Sequence, residues 1–452
     1  MKILIAGDGK VGKTLVRQLS AEGNDLTIID IKPEVLEESM ETYDVMAVQG
    51  NCAAMHVLEQ AGVHEADLLI AATGSDEVNL LSCMTAYVMN TNIHTIARIR
   101  NPEYGDQVYM MKRAFALSLT VNPDKQAADE IERLLKYPGF LKREAFAKGR
   151  VEIVELKLKS GNKLCNVALS EMNQIVKCKV LICAVQRQDN VVIPGGNFVL
   201  QEGDRIFVTG TVDELEHLLK NLGIITHKVK RVMICGGSRL AYYLSEQLIR
   251  SGIYVQLIEK DHDRCLQLAE ALPQASIIQG DASSQTLLES EGLEQCDALI
   301  TMTGIDETNM IISLYGEHRG ISQIITKVGH TANNKILDSL ALGSVVCPKE
   351  LSCSTITRYV RAMKNQTGAA VTVHNIADGR AEAVEFVVDK STRYDGVPLK
   401  NLKIRKNVLL ACITHKGKTE IARGDSYFSV GDTVIVVTIS GNVIYQLDDV
   451  FE

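Results

Sequence analysis

The chain has 452 residues, of which 46% are hydrophobic and 23% charged, and it contains eight prolines and no tryptophan. This composition is typical of ordered globular protein, and the length suggests roughly three domains of about 150 residues each. The net charge of −8 without a long basic run disfavours a nucleic-acid-binding protein, and no window approaches 18 consecutive apolar residues, so we expect no membrane insertion.

The first predicted element is an apolar strand from Ile3 to Ala6. It is too short for the apolar region of a signal peptide, so we expect an intracellular protein. Eleven cysteines occur without a CxxC pair, which disfavours a zinc site and a disulfide framework. We interpret them as reduced thiols, mostly in the core, and we expect no bound metal.

A glycine turn, GDGKVG, follows this strand directly and leads into an amphipathic helix. In this context the motif is typical of dinucleotide binding. Gly7 permits the sharp turn, Gly9 lets the backbone approach a pyrophosphate, and Gly12 allows close packing of helix on strand. The lysine of the turn either adds positive charge at the phosphates or lies in solvent. The predicted phosphate contacts are Gly7, Asp8, Gly9, Lys10 and Val11.

The second strand, LTIID, ends at Asp30. At this position a carboxylate accepts hydrogen bonds from ribose hydroxyls and repels a 2′-phosphate. NAD(H) or another unphosphorylated adenosine ribose is therefore favoured, although the nearby Lys32 keeps NADP(H) open. An aspartate that only caps a turn is the alternative interpretation.

Polar groups also follow the third and fourth strands, at Asn51 with Cys52 and at Thr73 with Gly74. Ligands of open α/β sheets bind at the carboxyl ends of the strands, and Asn51 suits an adenine edge. Asparagine and glycine are also common turn residues. Arg98 lies in an otherwise apolar fifth strand, where its guanidinium needs an anion, either a phosphate or a structural carboxylate.

The whole pattern returns at Gly236, 229 positions after Gly7, and the segment TGSDEVN of the first half corresponds to TGIDETN in the second. The second turn departs from the motif because Ser238 replaces the middle glycine. This site therefore binds a nucleotide differently, binds it weakly, or is empty. The second set of predicted contacts is Gly236, Gly237, Ser238, Arg239, Leu240, Glu259, Asp281, Thr303 and Lys327.

Segments of roughly 80 residues with short β-branched strands follow each Rossmann-like pattern and also match each other. We therefore predict an α/β fold in the order A-B-A′-B′: two Rossmann-like domains with doubly wound parallel sheets, each followed by a small α+β module. The predicted boundaries are residues 1–137, 138–226, 227–365 and 366–452.

Catalytic chemistry is not evident in the sequence. The ten histidines lie singly, and no GxSxG or Walker A motif occurs. Nucleotide sites without catalytic groups suit a ligand sensor, so we predict no enzymatic activity and no catalytic residues. An NAD-dependent oxidoreductase with an unrecognised substrate is the main alternative, and a scaffold with vestigial sites is a third.

The segments IAGDGKVG, LTIID, VQGN, AATGSDEVN and ARI, duplicated with their companion modules, closely resemble the cytosolic regulatory subunit of Trk-type bacterial potassium uptake systems. The resemblance covers essentially the whole chain. It implies a cytoplasmic protein that assembles into a ring, associates with the inner face of the membrane through a potassium transporter or channel subunit, and gates transport on binding NAD(H) or ATP and ADP. It also implies the first-half ligand contacts given above.

The helices after TGSDE and TGIDE carry apolar stripes. One interpretation is that these stripes are simply part of the core of their own domains. The alternative hypothesis is that the two Rossmann-like domains pair as an internal pseudo-dimer, which would bury the stripes. Their members are Leu80, Leu81, Met84, Met310, Ile311, Ile312 and Leu314.

Overall fold

The computed structural model describes residues 1–110, 112–136, 140–188, 190–224, 228–329, 340, 342–364, 370–439, 444 and 446–452. The predicted α/β duplication is confirmed, because two parallel six-stranded sheets alternate along the chain with two antiparallel five-stranded sheets. Three predicted domain boundaries, at 137/138, 226/227 and 365/366, lie outside the described residues and stay predictions.

The first parallel sheet has the strand order β3-β2-β1-β4-β5-β6. Its strands are β1 Lys2–Ala6, β2 Asp25–Asp30, β3 Met46–Gln49, β4 Leu68–Ala71, β5 His94–Arg98 and β6 Leu119–Val121. The helices of this first Rossmann-like unit are α1 Lys10–Ala21, α2 Pro33–Thr42, α3 Met55–Gln60, α4 Asp76–Met89, α5 Pro102–Met110 and α6 Pro123–Lys136. Strands β1, β2 and β4 are almost wholly buried and apolar, as parallel strands covered on both faces require.

The first small module has a sheet in the order β10-β9-β11-β8-β7. Its elements are β7 Lys142–Phe146, β8 Val151–Lys157, α7 Met172–Val176, β9 Leu181–Arg187, β10 Asn190–Val192, β11 Arg205–Gly210 and α8 Val212–Asn221.

The second Rossmann-like unit repeats the first topology, with the order β14-β13-β12-β15-β16-β17. Its strands are β12 Arg231–Cys235, β13 Tyr254–Glu259, β14 Ser276–Gln279, β15 Ala298–Thr301, β16 Gln323–Lys327 and β17 Ser344–Val346. Its described helices are α9 Arg239–Arg250, α10 His262–Ala271, α11 Gln285–Ser290, α12 Asp306–His318 and α13 Pro348–Lys364.

The second small module has the order β18-β19-β22-β20-β21. Its strands are β18 Ala370–Ile376, β19 Ala381–Val387, β20 Val408–His415, β21 Lys418–Ile421 and β22 Thr433–Ile439.

Short 3₁₀ turns occur in all four domains, at Val63–Glu65, Ala147–Gly149, Leu293–Gln295, Ala377–Gly379, Leu399–Asn401 and Leu447–Val450. The two module sheets share one apolar cluster, in which Ala184 and Phe207 of one sheet join Ala383 and Val437 of the other.

The two Rossmann-like units exchange their last helices. The apolar face of α6, with Ala127, Ile131 and Leu134, belongs to the core of the second unit and packs beside α9. In return, α13 places Ile356 and Val360 in the core of the first unit against α1. The paired arrangement that the sequence suggested is therefore present, but these exchanged helices form it.

The expectation that the stripes on α4 and α12 form the pairing surface is wrong. Leu81 is 52% exposed, Ile311 is 63% exposed, and Met84 also faces solvent. Both helices pack one side on their own sheet, through α4 with β5 and α12 with β16, and leave these residues outside. A stripe at helical spacing identifies an apolar face but not the surface that covers it.

The helix exchange predicts that damage to α6 destabilises the second unit. Leu134 is 1% exposed in the second core, so Leu134→Ala should lower the free energy of unfolding by about 2–5 kcal/mol. Hydrogen exchange should accelerate in α9 and β17, because α6 packs on both of these elements of the second unit. Lys125→Ala, at an exposed position of the same helix, is the control and should change neither quantity. Faster exchange confined to the first unit would contradict the exchanged arrangement.

Candidate nucleotide-binding site

The first candidate site lies between β1 and β4, where the strand order of the first sheet reverses. β1 pairs with β2 on one side and with β4 on the other, so the connections after β1 and β4 leave in opposite directions and open a crevice at the carboxyl edge. The glycine turn and the Thr73 turn meet there, since a Cβ added to Gly7 would lie 2.8 Å from the Thr73 Cα. The two predicted segments are therefore neighbours in space.

The glycine turn has the geometry that the motif predicts. Gly7 has a φ of +95°, which favours glycine, and a Cβ on Gly12 would overlap the carbonyl oxygen of Gly7. Gly9 faces open space, with nothing within 4 Å of its added Cβ. Because α1 begins at Lys10 without a side-chain cap, the first amides of the helix are available to an anion.

Asp30 holds the glycine turn through one oxygen of its carboxylate. One carboxylate oxygen, Oδ2, accepts a hydrogen bond from the Asp8 amide at 2.8 Å, and the other, Oδ1, accepts one from the Lys32 amide at 2.9 Å. Asp30 therefore does cap a turn, as the alternative interpretation of the sequence predicts. Each oxygen has a second lone pair, so the contacts leave acceptor capacity for ribose hydroxyls.

Asn79 was not singled out from the sequence, although it ends the TGSDEVN segment. It is fully buried, and its Oδ1 accepts hydrogen bonds from the Thr73 amide at 2.8 Å and the Thr73 hydroxyl at 2.7 Å. Its Nδ2 donates to the Arg98 carbonyl at 2.8 Å. Asn79 therefore ties the β4 turn to the end of β5, which explains why the segment recurs in both halves.

Asn51 and Cys52 lie at the end of β3. Asn51 is exposed, and its Oδ1 accepts the Ala53 amide at 3.0 Å. The Cys52 side chain instead points into the core, where its sulfur accepts a hydrogen bond from Ser82. Only the backbone of Cys52 is thus left for a ligand, and burial raises the pKa of its thiol.

Arg98 makes no ion pair with a carboxylate among the described residues. Its guanidinium donates to the Thr73 carbonyl, and its Nε is buried without a partner. Burial, with the neighbouring Arg100, lowers its pKa to about 10. Arg100 also donates to a carbonyl, that of Gly74 at 3.2 Å, and has a buried Nε without a partner. Two incompletely paired guanidinium groups beside the crevice favour an anion as the missing partner.

The second candidate site has the same backbone arrangement as the first but differs in the side chains around the turn. Gly236 has a φ of +107°, and Asn309 fastens Thr303 to the Lys327 carbonyl. Ser238, in the middle-glycine position, caps α9 by accepting the Ala241 amide at 3.4 Å. The serine therefore uses one of the amides that an anion would take.

The remaining predicted contacts of the second site surround this turn. Lys260 and Asp281 form an ion pair at 3.0 Å beside Glu259, whose Oε2 accepts the Gly237 amide. Lys327 donates to the Thr303 carbonyl at 2.9 Å. Arg239 is exposed and Leu240 is buried in the core.

The two sites face each other across the unit interface. The charge of Arg239 acts on Arg98, and the charge of Lys10 acts on Lys327. Asp124, in the first turn of α6, lies near four cations, namely Arg98, Arg100, Arg239 and Lys327, and burial raises its pKa although these cations oppose the rise. The region between the turns is therefore rich in positive charge.

Within the described ranges, no group of three or more His, Cys, Asp or Glu side chains is arranged to hold a metal ion. No helix in this part of the chain is long and apolar enough to cross a membrane.

The fold and the paired turns define a tandem of Rossmann-like domains of the TrkA-N type. The TrkA-N domain family model matches residues 3–119 and again residues 232–348, and the TrkA-C domain model matches residues 153–223. The chain is 31% identical to the Trk system potassium uptake protein TrkA homolog of Archaeoglobus fulgidus, over 100% of both chains. It is 29% identical to the Trk system potassium uptake protein TrkA of Haemophilus influenzae, over 100% of this chain and 99% of that protein. The chain belongs to the TrkA family of Trk potassium uptake proteins.

Solved structures share the fold at low sequence identity. The GsuK RCK domain aligns with a TM-score of 0.62 and 17% identity over 97% of this chain and 92% of its own. The GsuK channel bound to NAD aligns with a TM-score of 0.61 and 17% identity, over 97% of this chain and 77% of its own. GsuK bound to ADP aligns with a TM-score of 0.50 and 15% identity, over 80% of this chain and 69% of its own. At these identities the likeness concerns the fold.

The Asn79 contacts generate a prediction. Asn79→Ala leaves the Thr73 amide and the Arg98 carbonyl without their buried partner, so it should lower the free energy of unfolding by about 1–3 kcal/mol and weaken nucleotide binding at the first site. Asn309→Ala, its counterpart, should cost similar stability and spare the first site. Urea unfolding and NADH calorimetry on the full chain measure both effects. Equal loss of first-site binding in the two variants would contradict a local role for Asn79.

Proposed function

We propose that this chain is a nucleotide-sensing regulatory subunit of a Trk-type potassium uptake system. It gates a membrane potassium transporter or channel subunit on binding NAD(H), ATP or ADP. One observation carries the proposal: the two glycine turns oppose each other across an interface where Arg98 and Arg100 each keep a buried Nε without a hydrogen-bond partner among the described residues, and where Arg239 adds a third positive charge.

A ligand at the first site supplies the missing negative charge. Its phosphates bind the open amides of the glycine turn and attract Arg98 and Arg100 away from the carbonyls of Thr73 and Gly74. Arg239 belongs to the second unit, so the same charge acts on both units. A ligand that prefers one spacing of the units shifts their equilibrium, which is the requirement for a sensor.

The coupling has a structural route. The Tyr243 hydroxyl of α9 donates to the Arg100 carbonyl at 3.1 Å and accepts a hydrogen bond from Asn122, which directly precedes α6. The strand end that bears the two arginines is thus joined to both the second unit and an exchanged helix. Each exchanged helix is followed along the chain by a small module, so a shift between the units reaches the modules.

The two sites take different parts in this proposal. The first has an uncapped helix start and an open Gly9, and we assign it the regulatory nucleotide, with Asp30 favouring an unphosphorylated ribose. The second site has Ser238 on the helix start, so its ligand must displace a capping bond. We therefore expect weaker binding there.

Family membership favours this regulatory role over an NAD-dependent oxidoreductase and over a scaffold with vestigial sites. An absorbance change at the nicotinamide band, dependent on an added substrate and produced by the purified chain, would instead support the oxidoreductase.

Ring assembly is part of the proposal. The exposed face of α4 from Leu81 to Val88 is formed by apolar Leu81, Met84, Tyr87 and Val88, and Val88 is 74% exposed. Contiguous apolar surface of this kind typically marks an interface. We assign this face to contact between copies of the chain, which assemble beneath the membrane subunit on the inner face of the membrane.

Binding at the first site is tested by Gly9→Ala. The added methyl group meets no protein atom within 4 Å, so folding should survive, while the methyl group occupies the space that a pyrophosphate needs. Affinity for NADH and ATP in calorimetry should fall about tenfold or more. Gly105→Ala, which also meets nothing within 4 Å, is the control. Unchanged binding of both nucleotides to the Gly9→Ala variant would contradict the assignment of the nucleotide to the first site.

Assembly is tested by Val88→Glu, which places a charge in the apolar face of α4. The charge should dissociate the assembly in sedimentation velocity, because burying an unpaired carboxylate is unfavourable. Leu266→Glu, on the exposed surface of α10, should leave the mass unchanged. If Val88→Glu sediments as the wild type does, the ring does not form through α4.

A further inference from the structure

Asp8 lies within the glycine turn of the first site, and its side chain is fully buried. Its Oδ2 accepts a hydrogen bond from the Ser39 hydroxyl at 2.7 Å. Its Oδ1 has no hydrogen-bond partner in the part of the chain that the structure describes. A buried carboxylate with a single neutral donor is poorly compensated for the water it has lost, and this favours its protonated form.

Charged groups face Asp8 from three elements. Asp30 at the end of β2 and Glu38 on α2 repel its negative charge, whereas Lys13 on α1 attracts it. Lys13 also forms an ion pair with Glu38, so its charge is shared. Burial raises the pKa of Asp8, and this effect outweighs the Ser39 hydrogen bond and Lys13, which lower it.

The second unit provides an internal comparison. Gly237 takes the place of Asp8, and Leu268 takes that of Ser39; a Cβ on Gly237 would lie only 2.7 Å from the Leu268 side chain. The Gly237 amide still donates to Glu259 at 2.6 Å, as the Asp8 amide does to Asp30. The turn therefore holds its acid without a carboxylate at this position, and the Asp8–Ser39 pair is not needed for that contact.

We propose that nucleotide binding at the first site is coupled to uptake of a proton by Asp8. The inference rests on the proposed nucleotide-binding function. Phosphates on the amides that follow Asp8 add negative charge beside a carboxylate that is already poorly solvated, so they stabilise its protonated form. The second site lacks the carboxylate and takes up no proton there. Occupancy of the first site therefore depends on pH as well as on the nucleotide concentration.

The pH dependence follows from the sign of this coupling. A ligand that raises the pKa of Asp8 binds most tightly below the pKa of the free site, where the carboxyl is already protonated. Affinity falls as pH rises from that pKa to the higher pKa of the bound state, and it is constant above the latter. For uptake of one proton the fall is about tenfold per pH unit at its steepest.

The experiment is calorimetry of NADH against the full chain at one pH, in two buffers of different ionisation enthalpy. The dependence of the observed heat on the buffer gives the number of protons taken up. We expect uptake approaching about one proton per first site for the wild type at a pH between the pKa of the free site and the pKa of the bound state. Asp8→Asn keeps the shape and the acceptor for Ser39, and it should remove this uptake and make the affinity independent of pH across the range in which the wild type responds.

Two further variants make the result decisive. Asp44→Asn, at an exposed carboxylate of the same unit, should behave as the wild type does. The double variant Asp8→Gly with Ser39→Leu carries the residue pair of the second unit, and it should lose proton uptake as Asp8→Asn does, even if that single variant folds poorly.

Equal proton uptake by the wild type and the double variant would overturn the inference and leave the proposed function intact. If NADH, NAD, ATP and ADP give no binding heat with the wild type, the proposed function itself fails.

Discussion

The exchange of α6 and α13 between the Rossmann-like units is the constraint on which the rest of the molecule depends. Each unit lacks one covering helix of its own and takes it from the other, so separating the units would expose Ile131 and Leu134 on one side and Ile356 and Val360 on the other. Exposure of this much apolar surface is costly. The two glycine turns are consequently held opposite each other, and the charge of Arg239 from the second unit acts on Arg98 of the first.

Within that frame, the two halves differ at a few positions with defined consequences. Both halves keep a buried asparagine, Asn79 or Asn309, that joins the turn after the fourth strand of its sheet to the end of the fifth strand. The first half has an uncapped helix start, whereas Ser238 caps the second. The duplication therefore preserved the backbone frame and changed the groups that meet a ligand. A chain with one open and one altered site can respond to a nucleotide without binding two equivalent copies.

Much of this architecture could be predicted because local patterns determine it. The turn from Gly7 to Gly12 permits few other conformations, and the repeat at Gly236 sets the order of the units. The partner of α6 could not be predicted, since the spacing of Ala127, Ile131 and Leu134 defines an apolar face without saying what covers it. The same limit led to the wrong prediction for Leu81 and Ile311. Asp8 is buried and accepts a hydrogen bond from Ser39, which lies in α2, and no motif links the two residues.

The proposed function requires that nucleotide bound at the first site controls a potassium pathway in the membrane. The most direct measurement is potassium flux into vesicles that contain a Trk-type membrane subunit, with the purified chain added, before and after addition of NADH or ATP. The account predicts a nucleotide-dependent change in flux that requires the chain and is absent with Gly9→Ala. Flux that responds to the chain but is the same with and without every nucleotide would contradict it.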